Sequence, residues 1–96
     1  MIIKQTSGFK RKIKKLNKSE KLALDNAVKE IMKNPNIGEM KIGDLAGVQV
    51  YKYKVKVQLY LLAYLYDGSL TLTFIEHGTH ENFYRDLKNN ATKQGR

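Results

Sequence analysis

A chain of 96 residues has room for one core, and 18 basic against 9 acidic residues give it a formal charge of +9, a self-repulsion that points to an anionic partner, nucleic acid or an acidic protein. The absence of cysteine excludes disulfides, thiolate metal sites and a cysteine nucleophile. The longest apolar run, Leu59 to Tyr66, is far short of the roughly twenty residues of a membrane helix, and Met1 is not followed by a basic-then-apolar leader, so the cytoplasm is the expected address.

Ile2 to Gln5 reads as a short edge strand, begun by two β-branched residues and closed by Thr6-Ser7-Gly8. Phe9, Ile13 and Leu16 then recur at helical intervals, predicting a helix that stops near Asn17 and whose other faces carry Lys10, Arg11, Lys12, Lys14 and Lys15. Asn17-Lys18-Ser19-Glu20 has the spacing of a capping box. A second helix follows, with Leu24, Ala27 or Val28, and Ile31 on its buried stripe and Pro35 beyond its end. A linker of about three residues makes the pair an antiparallel hairpin whose apolar stripe needs cover.

The second half supplies that cover. Glycines 38, 43 and 47 mark an irregular connection in which Leu45 is the expected anchor. Tyr51, Tyr53, Val55 and Val57 then alternate with Lys52, Lys54, Lys56 and Gln58, predicting a strand with one wet face. Leu59 to Tyr66 is apolar at every second position in both registers, as a central strand is. Asp67-Gly68 signals a hairpin, and Leu70, Leu72 and Phe74 alternate with threonines on the returning strand. Glu81 to Asn90, with Thr79 as cap and Phe83 or Tyr84 paired with Leu87, predicts a short last helix, and 91–96 should fray. The fold class is α+β: a short strand and an αα-hairpin on a largely antiparallel sheet of about four strands, with a C-terminal helix.

Candidate chemistry is confined to a few residues. Lys52, Lys54 and Lys56 on one strand face would line about 13 Å of surface, either as a phosphate track or as a lysine-rich face that discourages edge pairing. His77 and His80, three apart, are the histidines able to exchange protons near neutral pH, or else surface and capping residues. Glu76 and Glu81 beside them complete no zinc spacing, and no metal or cofactor is expected. Tyr84, four residues after His80, shares its helix face and suits either stacking on a base or a core ring with a wet tip. No phosphate-cradling glycine loop, HExxH or nucleophile elbow is present.

The order of these features, with Gly43-Asp44-Leu45-Ala46-Gly47, the lysine strand, Ala63-Tyr64 and Gly78-Thr79-His80-Glu81-Asn82-Phe83-Tyr84-Arg85-Asp86-Leu87, resembles the RelE/ParE superfamily of type II toxins over nearly the whole chain, as a single domain. Its late Gly-Thr-His segment is similar to the YafQ-like branch. The resemblance implies an mRNA interferase that cuts message in the A site of the 70S ribosome without a metal and is neutralised by a cognate antitoxin. It implies catalytic roles for His80, Tyr84, Lys52 and Lys54, with His77 as second choice, and RNA or ribosome contacts for Lys56, Lys10, Arg11, Lys12, Lys14, Lys15 and Arg85. Gln58 to Leu62 lacks the arginine that many RelE-like members carry there. ParE-like relatives share the fold and inhibit DNA gyrase by protein contact, which is the alternative function.

Overall fold

In the computed structural model the described residues are 1–79 together with Phe83, Tyr84 and Leu87. Strand β1 (Ile2–Gln5) leads into helices α1 (Ser7–Lys14) and α2 (Lys18–Lys33). β2 (Glu39–Met40), a short 3-10 turn (Gly43–Leu45), β3 (Gln49–Val55), β4 (Gln58–Tyr66) and β5 (Thr71–Thr79) follow. The sheet runs β1-β5-β4-β3-β2, with β1 parallel to β5 and every other pair antiparallel. The fifth strand, beyond the expected four, is the two-residue β2, too short to leave a periodic signal. No helix among the described residues is long and apolar enough to cross a membrane.

The helix signals act as the sequence implies. Thr6 caps α1 by accepting from Phe9 N at 3.1 Å. In α2, Asn17 Oδ1 accepts from Glu20 N at 2.8 Å while Glu20 Oε1 accepts from Asn17 N at 2.9 Å. Replacing this cap, Asn17→Ala, is expected to lower stability by about 1 kcal/mol, measured by urea unfolding. α1 ends at Lys14, two residues before the last apolar position of its stripe, because Leu16 N turns back to Ile13 O at 3.2 Å.

β4 has two apolar faces because it is covered on both. Leu62 and Tyr64 join Phe9, Leu24, Ala27, Ile31, Leu72 and Phe74 on the helix side. Leu61 and Ala63 join Leu45, Val48, Val50, Ile75, Phe83 and Leu87 on the other. Leu45 is thus the anchor its glycine-rich loop needs. Tyr64 is fully buried and its hydroxyl donates to Pro35 O at 2.8 Å and accepts from Gly38 N at 2.9 Å. A Cβ at Gly38 would lie 2.8 Å from that oxygen, so only glycine lets the chain leaving α2 pass so close.

Two irregularities decide where the functional candidates sit. The strand expected from Tyr51 through Gln58 is in fact a hairpin: Val55 pairs with Gln58, Lys56 takes φ 57°, and Val57 is 96% exposed. The expected row of three strand lysines is corrected to Lys52 and Lys54 on β3, with Lys56 in the turn. Secondly, Tyr64 pairs with Phe74 but Ala63 pairs with Glu76, so Ile75 is a bulged extra residue. Such a bulge exchanges the faces of everything that follows it.

Candidate functional site

Lys52 and Lys54 are exposed on β3 and stand opposite Leu61 and Leu59 of β4. Leu61 belongs to the cluster on the side away from the helices, so the two lysines share that face of the sheet. Tyr84 packs against the same cluster through its edge-on contact with Phe83, ring centroids 5.1 Å apart. The structure therefore puts three of the expected site residues on one side of the sheet. His80 and Arg85 lie outside the described residues, as does most of the expected last helix.

One cation on this face left no mark in the sequence. Lys41, just after β2, places Nζ 5.2 Å from the Tyr84 ring centroid and pairs with the Glu39 carboxylate. Its side chain is only 19% exposed. The hydrogen bond from Lys41, then its charge and that of Lys52, hold the Glu39 carboxyl below its usual range; Glu39 and then Tyr84 raise Lys41. Glu39 stands beside Val50 in register, two residues from Lys52, so the loop before β3 brings a fixed ammonium to the rim of the lysine pair. Lys41 is held against the aromatic face by a cation–π contact.

His77 is placed on the opposite side. Without the bulge, alternation from Phe74 would have aimed it at the lysine face; instead it stands opposite Leu62, within the helix-side layer, and is 3% exposed. Its ring stacks on Tyr60 at 5.3 Å and 6° and on Tyr53 at 5.8 Å. Its Nε2 is hydrogen-bonded to the Tyr53 hydroxyl, and the Tyr60 hydroxyl donates to Glu20 of the capping box. Burial, reinforced by the Lys12 charge and opposed by Glu20, pushes the His77 pKa down to about 4, and burial likewise pushes the Tyr53 hydroxyl well up. Tyr53 therefore keeps its proton and donates it to a neutral imidazole. This network, tied to α2 through Tyr60 and Glu20, lies on the face of the sheet opposite Lys52 and Lys54.

The helical cations divide as well. Lys10, Arg11 and Lys14 are exposed on α1, and Lys15 at its C-cap, on the helix side. Lys12 turns inward to the fully buried Glu76, Nζ to Oε1 3.2 Å, which distinguishes it from its neighbours. The positive surface thus has two parts separated by the sheet. Asp67 serves the β4–β5 turn, accepting from the amides of Ser69, Leu70 and Thr71 at 2.9 to 3.0 Å.

Comparison with known proteins agrees with this architecture. No curated protein sequence matches the chain. Among solved structures, an arginine-to-alanine double mutant of the E. coli toxin RelE in the free state is similar, with a TM-score of 0.71 at 20% identity over 97% of this chain and 95% of that one. A chain of the intact E. coli RelBE toxin-antitoxin complex is similar with a TM-score of 0.66 at 21% identity, covering 83% of this chain and 96% of that one. Residues 3–88 match the family described as ParE-like toxin of type II bacterial toxin-antitoxin system. With the match spanning most of its length and the fold that of RelE, the chain belongs to the ParE-like toxins, within the RelE/ParE superfamily of type II toxin-antitoxin systems.

Proposed function

We propose that the chain is a ribosome-dependent endoribonuclease that cuts message in the A site. The observation that carries this reading is the exposure of Lys52 and Lys54 on the sheet face shared with Tyr84 and Lys41. A bond forms between the nucleotide's 2′-oxygen and the adjacent phosphorus, and the bond from phosphorus to the 5′-oxygen breaks. The products are a 2′,3′-cyclic phosphate and a 5′-hydroxyl. Lys52 and Lys54 neutralise the charge that builds on the phosphorane, His80 takes the proton from the 2′-hydroxyl or returns one to the leaving oxygen, and Tyr84 holds the base. Lys56 in the turn and Arg85 contact the RNA backbone, while Lys10, Arg11, Lys14 and Lys15 steer the toxin towards the ribosome.

Primer extension on translated message tests the reading: the wild type leaves A-site cuts, and His80→Ala reduces them by about a hundredfold. Equal cutting by both proteins removes His80 from the chemistry. The ParE-like description of the matched family favours a second reading, inhibition of DNA gyrase by protein contact. Induction in cells separates the two: collapse of protein synthesis with cut message supports the nuclease, and filamentation with damaged DNA and intact message supports gyrase. In either case the partner that silences the toxin is a cognate acidic antitoxin.

A further inference from the structure

Lys41 is held at both ends. Its N donates to Val48 O at 2.8 Å, extending the two-residue pairing of β2 with β3, and a few residues on Leu45, 7% exposed, fastens the loop to the core. Glu39 stands opposite Val50, which belongs to the cluster away from the helices, and side chains two apart on a strand share a face. Glu39 and Lys41 therefore both project on the face of Lys52 and Lys54, where they pair.

The other end is the ammonium. The Glu39 side chain is 63% exposed and that of Lys41 only 19%, so pairing with a wet carboxylate does not account for the burial of the lysine. A lysine that answered only a surface carboxylate would keep its head in water. Instead Nζ lies over the Tyr84 ring, 5.2 Å from its centroid. The Lys41 pKa is raised first by the hydrogen bond to Glu39 and then, against burial, by Tyr84. The charge that attracts the ring is thus kept throughout the neutral range.

Tyr84 gains an orientation from this contact. Phe83 and Leu87, 2% and 0% exposed, fix their segment in the core. Their burial does not by itself fix the half-buried Tyr84, whose ring meets Phe83 at 89°, and a cation on its face adds a second constraint. We propose that Lys41, steadied by Glu39, is a positioning residue that holds the Tyr84 ring beside Lys52 and Lys54 in the orientation that receives a base, without itself binding phosphate. Resting on the proposed function, this assigns the lysines of the face two different tasks. Lys52 and Lys54 are exposed and open to an anion, whereas a phosphate could reach the Lys41 ammonium only by displacing the Glu39 carboxylate.

Two measurements test the proposal, one of them without catalysis. In NMR spectra of the isotope-labelled full chain, the ring current should displace the Lys41 ε-methylene protons upfield of those of the other lysines, and Tyr84→Leu should return them. In primer extension on translated message, Lys41→Met is expected to lower the single-turnover rate about tenfold, with ribosome affinity and its salt slope as in the wild type. Lys41→Arg, which can still pair with Glu39 and lie on the ring, recovers most of that rate. In a Tyr84→Leu background Lys41→Met costs less than about twofold more, because the two residues act as one. The proposal is overturned by wild-type ε-methylene protons among those of the other lysines, by full cutting with Lys41→Met, by failure of arginine to rescue, or by equal losses in both backgrounds. A salt slope flattened by about 0.7 also overturns it, making Lys41 a phosphate contact. If the wild type leaves no cuts, the nuclease reading falls and the NMR measurement alone decides whether Lys41 holds the ring; if it cuts and Lys41→Met cuts equally, only the positioning role is lost.

Discussion

The double variant Lys52→Gln, Lys54→Gln is expected to fold with nearly wild-type stability and to cut translated message roughly 10⁴-fold more slowly, each missing cation removing about 10² from the rate. Both side chains are exposed, and surface substitutions of this kind usually change stability by only about 0.5 kcal/mol. Under the proposed function the large effect on rate follows from position: the two lysines are neighbours on one face of β3, and the Lys41–Glu39 pair and the Tyr84 ring border the same face. Ribosome binding should weaken as well, and the slope of log affinity against log salt should flatten by about 1.4, near 0.7 for each phosphate of a single strand that is no longer neutralised. The conservative pair Lys52→Arg, Lys54→Arg should retain most of the binding and less of the rate, since guanidinium keeps the charge but changes its shape. Cutting at the wild-type rate by the glutamine variant would move the scissile phosphate away from β3. An unchanged salt slope would place the RNA contacts on α1, with Lys10, Arg11, Lys14 and Lys15.

Much of this arrangement is written locally. The capping box at Asn17, the stop at Pro35, the turn at Asp67 and the doubly apolar β4 each depend on a few adjacent residues, and each lies where its pattern put it. What the pattern misplaced depends on pairing between distant segments. The alternation from Tyr51 to Gln58 continues without a break through the turn at Lys56, because Lys56 carries no glycine or asparagine to announce its positive φ. The face of His77, which the sequence leaves open, hinges on the bulge at Ile75, a property of how β5 sits against β4 and β1. Lys41 was unreadable for a third reason: its meaning comes from Tyr84, forty-three positions away, and from a strand of two residues. The family likeness carried the fold and the lysines of β3, but not the face on which His77 lies.

That buried histidine leads to the second large effect, on stability in mild acid. With its pKa near 4 in the folded chain and about 6.5 when unfolded, His77 binds a proton more readily in the unfolded state throughout the interval between those values. Stability contributed by the neutral ring is therefore complete above pH 6.5 and declines as the pH falls to 4, by about 3 kcal/mol in all. The surroundings explain why the ring resists protonation. Burial comes first, the stacked Tyr60 and Tyr53 rings shutting water away from the imidazole; Lys12 adds a positive charge nearby, and the Tyr53 hydroxyl donates to Nε2, which in the protonated ring would become a second donor facing the first. Glu20 opposes them through its charge but is occupied by Tyr60 and the Asn17 amide. Glu20 titrates with the opposite history: its carboxyl is held below the usual range, first by the Tyr60 hydroxyl, and its contribution fades only below the range in which His77 does most of its damage. Urea unfolding between pH 7.5 and 4.5 separates the two. The wild type should lose stability steadily below pH 6.5, whereas His77→Phe, which keeps a ring between Tyr53 and Tyr60, should start lower and lose far less over the same interval. Parallel curves for the two proteins would mean that the imidazole titrates normally in the folded chain, and that the stack of Tyr53, His77 and Tyr60 is not built on a neutral histidine.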